Sequence, residues 1–227
     1  MKNKLSRRDF LYFSASMSLF FPFQGFALTG DIHPAIIYPD TVSVLNQAFN
    51  AEMIAHKHYN GYVKKAMAQQ YPNIAYMFQA FSFSEKIHAV NYDRIINELG
   101  SKANYIPVLI NVRDTQSNLS NAAIKELEKI KNIYPRFLKE VASEGNDEAI
   151  TNLMYSLKSH KQHKEKVQKI QKYSKYFFGS VAKEIEGMKF DIHVCEVCGS
   201  TIDEAPVLPC DICNKALSHF KKIDRPM

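Results

Sequence analysis

"SLKSHKQHKEK", residues 156–166, sets two histidines three apart among lysines. If the segment is helical, His160 and His163 share a face, because residues three apart on an α-helix are neighbours. Lys158, Lys161 and Lys164 then take the solvated side. Leu153, Leu157, Val167 and Ile170 continue the histidine face at helical spacing. The segment reads as an apolar seam interrupted by two imidazoles, and such a seam must be buried against other helices.

Three more helical patterns precede it. The spacing predicts helices over 41–70, 73–99 and 118–143, with the fourth over 147–173. Pro72 suits a helix start, Gly100 a helix end, and Asn146 or Asp147 an N-cap. The first seam holds Leu45, Phe49, Tyr59, Val63 and Ala66, and Glu52 shares it. The second holds Ile74, Met77, Phe81, Tyr92 and Ile95, with Glu85 and His88. The third holds Leu119, Ala123, Ile130, Ile133 and Phe137, with Glu126. Six ionisable groups therefore lie on four buried faces. A buried carboxylate without a partner is costly and calls for a cation. Glu52 and Glu85 are 33 residues apart, Glu126 and His160 34, so each hairpin carries its groups to a similar height. A lone Glu or His on a seam is commonly a paired core residue; a set of six points to metal ligation. Two hairpins joined by the long connection "GSKANYIPVLINVRDTQS" make a mainly α chain with a ferritin-like four-helix bundle over 38–175.

The four cysteines form two Cys-x-x-Cys pairs, Cys195/Cys198 and Cys210/Cys213, with eleven residues between them. Four thiolates on two turns can surround one iron or zinc tetrahedrally. Two disulfides would close very small loops and stabilise little, so metal is the better reading. Strands are expected only in this module, residues 191–227, after a linker or short helix at 176–190.

Residues 1–30 have a basic head, a moderately apolar run and small residues, the layout of an export signal. Arg7-Arg8 in "SRRDFL" resembles the twin-arginine signal, which implies passage through that export machinery and a periplasmic or otherwise exported location. This segment supplies three of the six net positive charges, so the rest is only mildly basic and nucleic acid is not indicated as a partner. No phosphate loop or nucleophile elbow is present.

"AFNAEMIAHKHY", "SEKIHA", "KIKNIYPRF" and "CEVCGSTIDEAPVLPCDIC" together resemble the rubrerythrin family across nearly all of the chain after residue 30. The resemblance implies a di-iron bundle joined to a rubredoxin-like C-terminal module. It also implies reduction of hydrogen peroxide with electrons relayed from the four-cysteine iron, and a homodimer or larger assembly. Glu52, Glu85, His88, Glu126 and His163 match family metal ligands, and Tyr59 and Tyr134 match tyrosines lining the family's site. Two positions depart: Lys129 and His160 stand where the family has glutamates. The bundle could then hold two irons at an altered potential, or one metal, or a different one such as zinc or manganese. Lys129 could instead pair with a carboxylate and leave the bundle partly or wholly metal-free. The alternative reading is a metal-binding or electron-transfer protein without peroxidase turnover. The electron donor is not legible.

Overall fold

The computed structural model describes residues 38–227, leaving out the side chains of residue 169 and residues 171–177. The expected export signal at 1–30 lies outside the described residues. Two long helices come first, α1 (Pro39–Ala68) and α2 (Pro72–Glu98). Each carries proline in its first turn, where no intrahelical N–H bond is lost. Gly100 closes α2 at φ +78°, a left-handed conformation that glycine takes without strain. The connection to α3 (Thr115–Glu128) lies over α1, held by Asn46 and Asn50, which bond the backbone of Asn104 and Ile106. Asp114 caps α3 through the Ser117 N–H at 2.8 Å.

The expected third helix is not one regular α-helix. A π turn, Lys129–Ile133, joins α3 to α4 (Tyr134–Val141). The turn inserts one extra residue, which rotates the face and buries both Lys129 and Tyr134 while Ile130 and Ile133 are only half-buried. Asn146, not Asp147, caps α5 (Asp147–Gly187), accepting from the Ala149 N–H at 2.9 Å.

The linker expected at 176–190 is corrected to a helical continuation. α5 runs on to Gly187, because its last turns make tertiary contacts. Ala182 is buried, and Phe178, Val181 and Ile185 pack on the same core. The Glu186 carboxylate accepts from the Asn73 and Ile74 N–H groups at 2.8 and 3.2 Å. It thereby caps the N-terminus of α2, as Glu144 caps that of α1 through Asp40 and Thr41.

Two apolar clusters fill the bundle. One gathers Tyr59, Tyr62, Phe78, Phe81 and Leu119, the other Leu45, Tyr92, Ile95, Phe137 and Leu153. The ionisable groups read from the seams are buried with them.

The C-terminal module has three short strands, β1 (His193–Cys195), β2 (Thr201–Ile202) and β3 (Phe220–Lys222), in antiparallel order β2-β1-β3. Among the described residues, strands occur only here. The module is fused to α2: the Tyr76 hydroxyl donates to Ile223 O (2.8 Å) and accepts from Ile192 N (2.9 Å). Val194 and Ile223 extend the bundle core.

Gly199 sets the closeness of this fit. Its φ is +76°, and a Cβ there would lie 2.4 Å from His88 Nε2 and 2.6 Å from Ser84 Oγ. Gly145 has a similar φ, +67°, but open space around it. Gly145→Ala should therefore cost about 1 kcal/mol of backbone strain, and Gly199→Ala about 2–4 kcal/mol, since overpacking adds to the strain. Thermal unfolding of the two variants measures the difference; equal losses would mean the module is not seated on His88.

Candidate metal centre

Four helices deliver seven buried polar groups to one layer. Glu52 comes from α1, Glu85 and His88 from α2, Glu126 from the end of α3, Lys129 from the π turn, and His160 and His163 from α5. The carboxylates and imidazoles are at most 1% exposed, and Lys129 is 6% exposed. Ligand atoms of Glu52, Glu85, His88 and His160 lie within 4.8 Å of one another, as do those of Glu85, Glu126, His160 and His163. Two groups sharing Glu85 and His160 have the disposition of a dinuclear centre.

The histidine rings are aimed by outer partners. His163 Nε2 lies 3.2 Å from Thr201 Oγ1, whose own proton goes to Gly199 O. The imidazole must therefore donate from Nε2, which leaves the Nδ1 lone pair facing Glu85 and Glu126 at 3.4 and 3.8 Å. Phe81 stacks on the same ring at 4.2 Å. His88 Nε2 donates to Cys198 O at 3.1 Å, since a carbonyl can only accept; its Nδ1 lies 3.3 Å from Glu85 Oε2. His160 points Nε2 at Glu52 Oε1 (3.1 Å) and Nδ1 at Glu126 Oε2 (2.9 Å), the second contact too oblique for a hydrogen bond.

Lys129 is the cation of the layer. Its Nζ lies 2.8 Å from Glu52 Oε2 and 3.3 Å from Glu85 Oε2. Burial lowers its pKa, but Glu52, Glu85 and Glu126 outweigh burial and hold it above the ordinary lysine value. Burial would raise the carboxyl of Glu52, yet the Lys129 and His160 charges keep it well below the usual range. Glu126 behaves alike, with His160 the stronger influence.

The two tyrosines each sit on a carboxylate. Tyr59 donates to Glu126 Oε1 and Tyr134 to Glu52 Oε1. Burial and the adjacent carboxylates push both phenols well above their usual pKa, so they remain protonated donors. A cleft of about 220 Å³ opens beside Tyr59, Glu126 and Lys129, lined also by Ala51, Ala55 and Ala122. His56 is not in the centre. It is half-buried, and it bonds Ser82 and Asn60 and so ties α1 to α2.

The four cysteines are buried and none forms a disulfide. Cys195 and Cys213 Sγ are 3.7 Å apart, and Cys198 and Cys210 Sγ 3.5 Å. A tetrahedral ion with bonds of about 2.3 Å to sulfur separates its ligands by about 3.8 Å. The cluster fits such an ion.

A rubrerythrin family model matches residues 43–171, more than half of the chain. The chain belongs to the rubrerythrin family. It is 29% identical over 183 residues to Rubrerythrin-2 of Clostridium acetobutylicum, covering 80% of this chain and 95% of that protein. It is 28% identical over 113 residues to nigerythrin of Nitratidesulfovibrio vulgaris, covering 48% of this chain and 55% of that one. A solved structure of nigerythrin in a mixed-valence state superposes with a TM-score of 0.67 at 23% identity, covering 81% of this chain and 86% of that chain. The bacterioferritin of Desulfovibrio desulfuricans superposes at 0.62 and 19% identity, covering 67% and 90%. These two likenesses establish the ferritin-like fold.

Rubrerythrins bind iron at a dinuclear bundle centre and at a four-cysteine site, and this chain carries both a Glu/His cluster and a four-cysteine cluster. The bundle residues fit metal on their own evidence. Four buried atoms, Glu85 Oε1, Glu126 Oε2, His160 Nδ1 and His163 Nδ1, face one another without hydrogen-bond partners. Carboxylate and imidazole donors together suit iron, zinc or manganese.

The departure at His160 shows in its titration. Burial and the Lys129 charge push its pKa down, but Glu52, Glu85 and Glu126 prevail and raise it to about 10. At neutral pH the metal-free ring holds two protons and must release one to bind metal. Uptake should therefore release protons, and bundle occupancy should fall as pH falls. Metal retained after anaerobic dialysis at stepped pH measures this; a bundle content independent of pH between about 5 and 8 would contradict it.

Proposed function

We propose that this rubrerythrin is an exported peroxide reductase, receiving electrons at its four-cysteine site and reducing hydrogen peroxide at the bundle centre. The observation that carries the reading is the 3.1 Å hydrogen bond from His88 Nε2 to Cys198 O. It joins a cysteine of the thiolate cluster to an imidazole of the bundle cluster within one chain. Cys198 thus connects through its carbonyl and the His88 ring to Glu85, with no solvent between, since all three residues are buried.

When bound, the metals supply the redox chemistry, in which one hydrogen peroxide takes two electrons and two protons to give two waters. The protein's part is access, orientation and protons. Ala51, Ala55 and Ala122 leave room in the cleft for a molecule the size of peroxide. Tyr59, at the cleft floor, holds a hydroxyl proton on Glu126 Oε1 and can turn it toward a ligand there. Tyr134 fixes Glu52 from the opposite side and, through Tyr92 and Ser156, continues a chain of hydroxyls. Tyr59 and Tyr134 are the side chains assigned here to peroxide handling.

Arg7-Arg8 supports export by the twin-arginine machinery to the periplasm, where a separate donor protein would supply electrons. A homodimer or larger assembly is proposed from the family. The second reading, an electron carrier without peroxide turnover, is favoured by one feature, the Lys129 ammonium beside Glu52 and Glu85.

Rapid mixing of the anaerobically reduced, iron-loaded protein with peroxide separates the two. The ferric–thiolate colour should return within one turnover and with one peroxide consumed per two electrons. Ala51→Phe, which fills the cleft, should slow this by about tenfold or more with metal content unchanged. No reoxidation beyond the buffer rate would leave the electron-carrier reading.

A further inference from the structure

The buried polar atoms of the bundle divide into two sets. On the side of Glu52 and His88 every such atom is already engaged. Glu52 Oε2 holds Lys129 Nζ at 2.8 Å, and Glu52 Oε1 accepts from Tyr134 and lies 3.1 Å from His160 Nε2. Glu85 Oε2 meets Lys129 Nζ and His88 Nδ1, both at 3.3 Å. On the other side stand Glu85 Oε1, Glu126 Oε2, His160 Nδ1 and His163 Nδ1, which face one another at 2.9 to 3.7 Å and make no hydrogen bond. Buried polar atoms are seldom left so, and the four unpartnered atoms all belong to one four-residue group.

We propose that the bundle of this protein holds a single metal ion, bound by Glu85, Glu126, His160 and His163, and that the ammonium of Lys129 permanently occupies the place of a second cation between Glu52 and Glu85.

Charge supports the same division. Glu52, Glu85 and Glu126 carry three negative charges; Lys129 and one divalent ion cancel them, with the histidines neutral as ligands. A second divalent ion beside Lys129 would leave two uncompensated positive charges in the core, which is strongly unfavourable in a low-dielectric interior. It would also compete with Nζ for Glu52 Oε2. Expelling Lys129 has its own obstacle, since the π turn holds the residue inward and its side chain is almost wholly buried. The departures at positions 129 and 160 therefore act together. The lysine supplies a fixed cation, and His160 bridges both sides, with Nε2 on Glu52 and Nδ1 toward the remaining metal position.

The inference deepens the peroxide reading, since it concerns the same centre, but its test does not depend on turnover. The full protein is loaded anaerobically with ferrous iron, desalted and counted. The expected content is two irons per chain, one on the cysteines and one in the bundle, with two electrons per chain removed in an oxidative titration. Mössbauer spectra should show a magnetically isolated bundle iron. Three irons with a spin-coupled pair would overturn the inference, and so would one iron with an empty bundle. Lys129→Glu should raise the count to three, and His163→Ala should lower it to one with the thiolate site intact. Should either variant fail to fold, Lys129→Gln and the wild-type count still decide. A chain with one bundle iron that ignores peroxide would sink the peroxide reading alone; one with two that reduces peroxide would sink this inference alone.

Discussion

The contact of Lys129 Nζ with the carboxylates of Glu52 and Glu85 governs the interior of this protein. Three buried glutamates in one layer could not remain ionised without positive charge close by. In the bundle that charge comes from Lys129, foremost on Glu52, and from His160, foremost on Glu126. Breaking such a pair from one side leaves an uncompensated ion in the core, commonly at a cost of about 3–5 kcal/mol. The π turn is explained by the same demand. The extra residue at Lys129–Ile133 turns Lys129 and Tyr134 inward together, one to each oxygen of Glu52.

The C-terminal module contributes to this layer as directly as the helices do. Cys198 O accepts from His88, Thr201 Oγ1 accepts from His163, and Gly199 O accepts from Ser84 and Ser159. The module thus fixes the tautomer of two candidate ligands while holding its own four thiolates. Glycine at 199 is what lets its backbone approach His88 and Ser84 so closely. Electron entry and ligand orientation are served by one small surface, so loosening the docking should disturb both centres at once.

Much of this was legible in the sequence. Glu52, Glu85, His88, Glu126, His160 and His163 interrupt apolar seams at helical period, and the structure brings them together because a seam is by construction a buried face. The cysteine spacing foretold a cluster for a similar local reason. Phe178, Val181, Ala182 and Ile185 do stand at helical spacing, and reading the segment as a linker passed over them; that face meets the core and Glu186 caps α2. The rest of what escaped was set by distant contacts. The π turn leaves no signature in "KIKNI", since it answers a charge on another helix. Pairing of Lys129 with a carboxylate was one of the readings left open; which carboxylates it meets, Glu52 and Glu85, is a tertiary outcome. The bonds from His88 and His163 to the module join residues far apart in the chain, and no local pattern records them.

Anomalous diffraction at the iron edge, from crystals of the ferrous-loaded protein, shows whether the Lys129 ammonium stands where a second bundle cation would. Two peaks per chain are expected, one within Cys195, Cys198, Cys210 and Cys213 and one among Glu85, Glu126, His160 and His163, with Lys129 still on Glu52. A further peak between Glu52, Glu85 and His88, with Lys129 displaced, would contradict it.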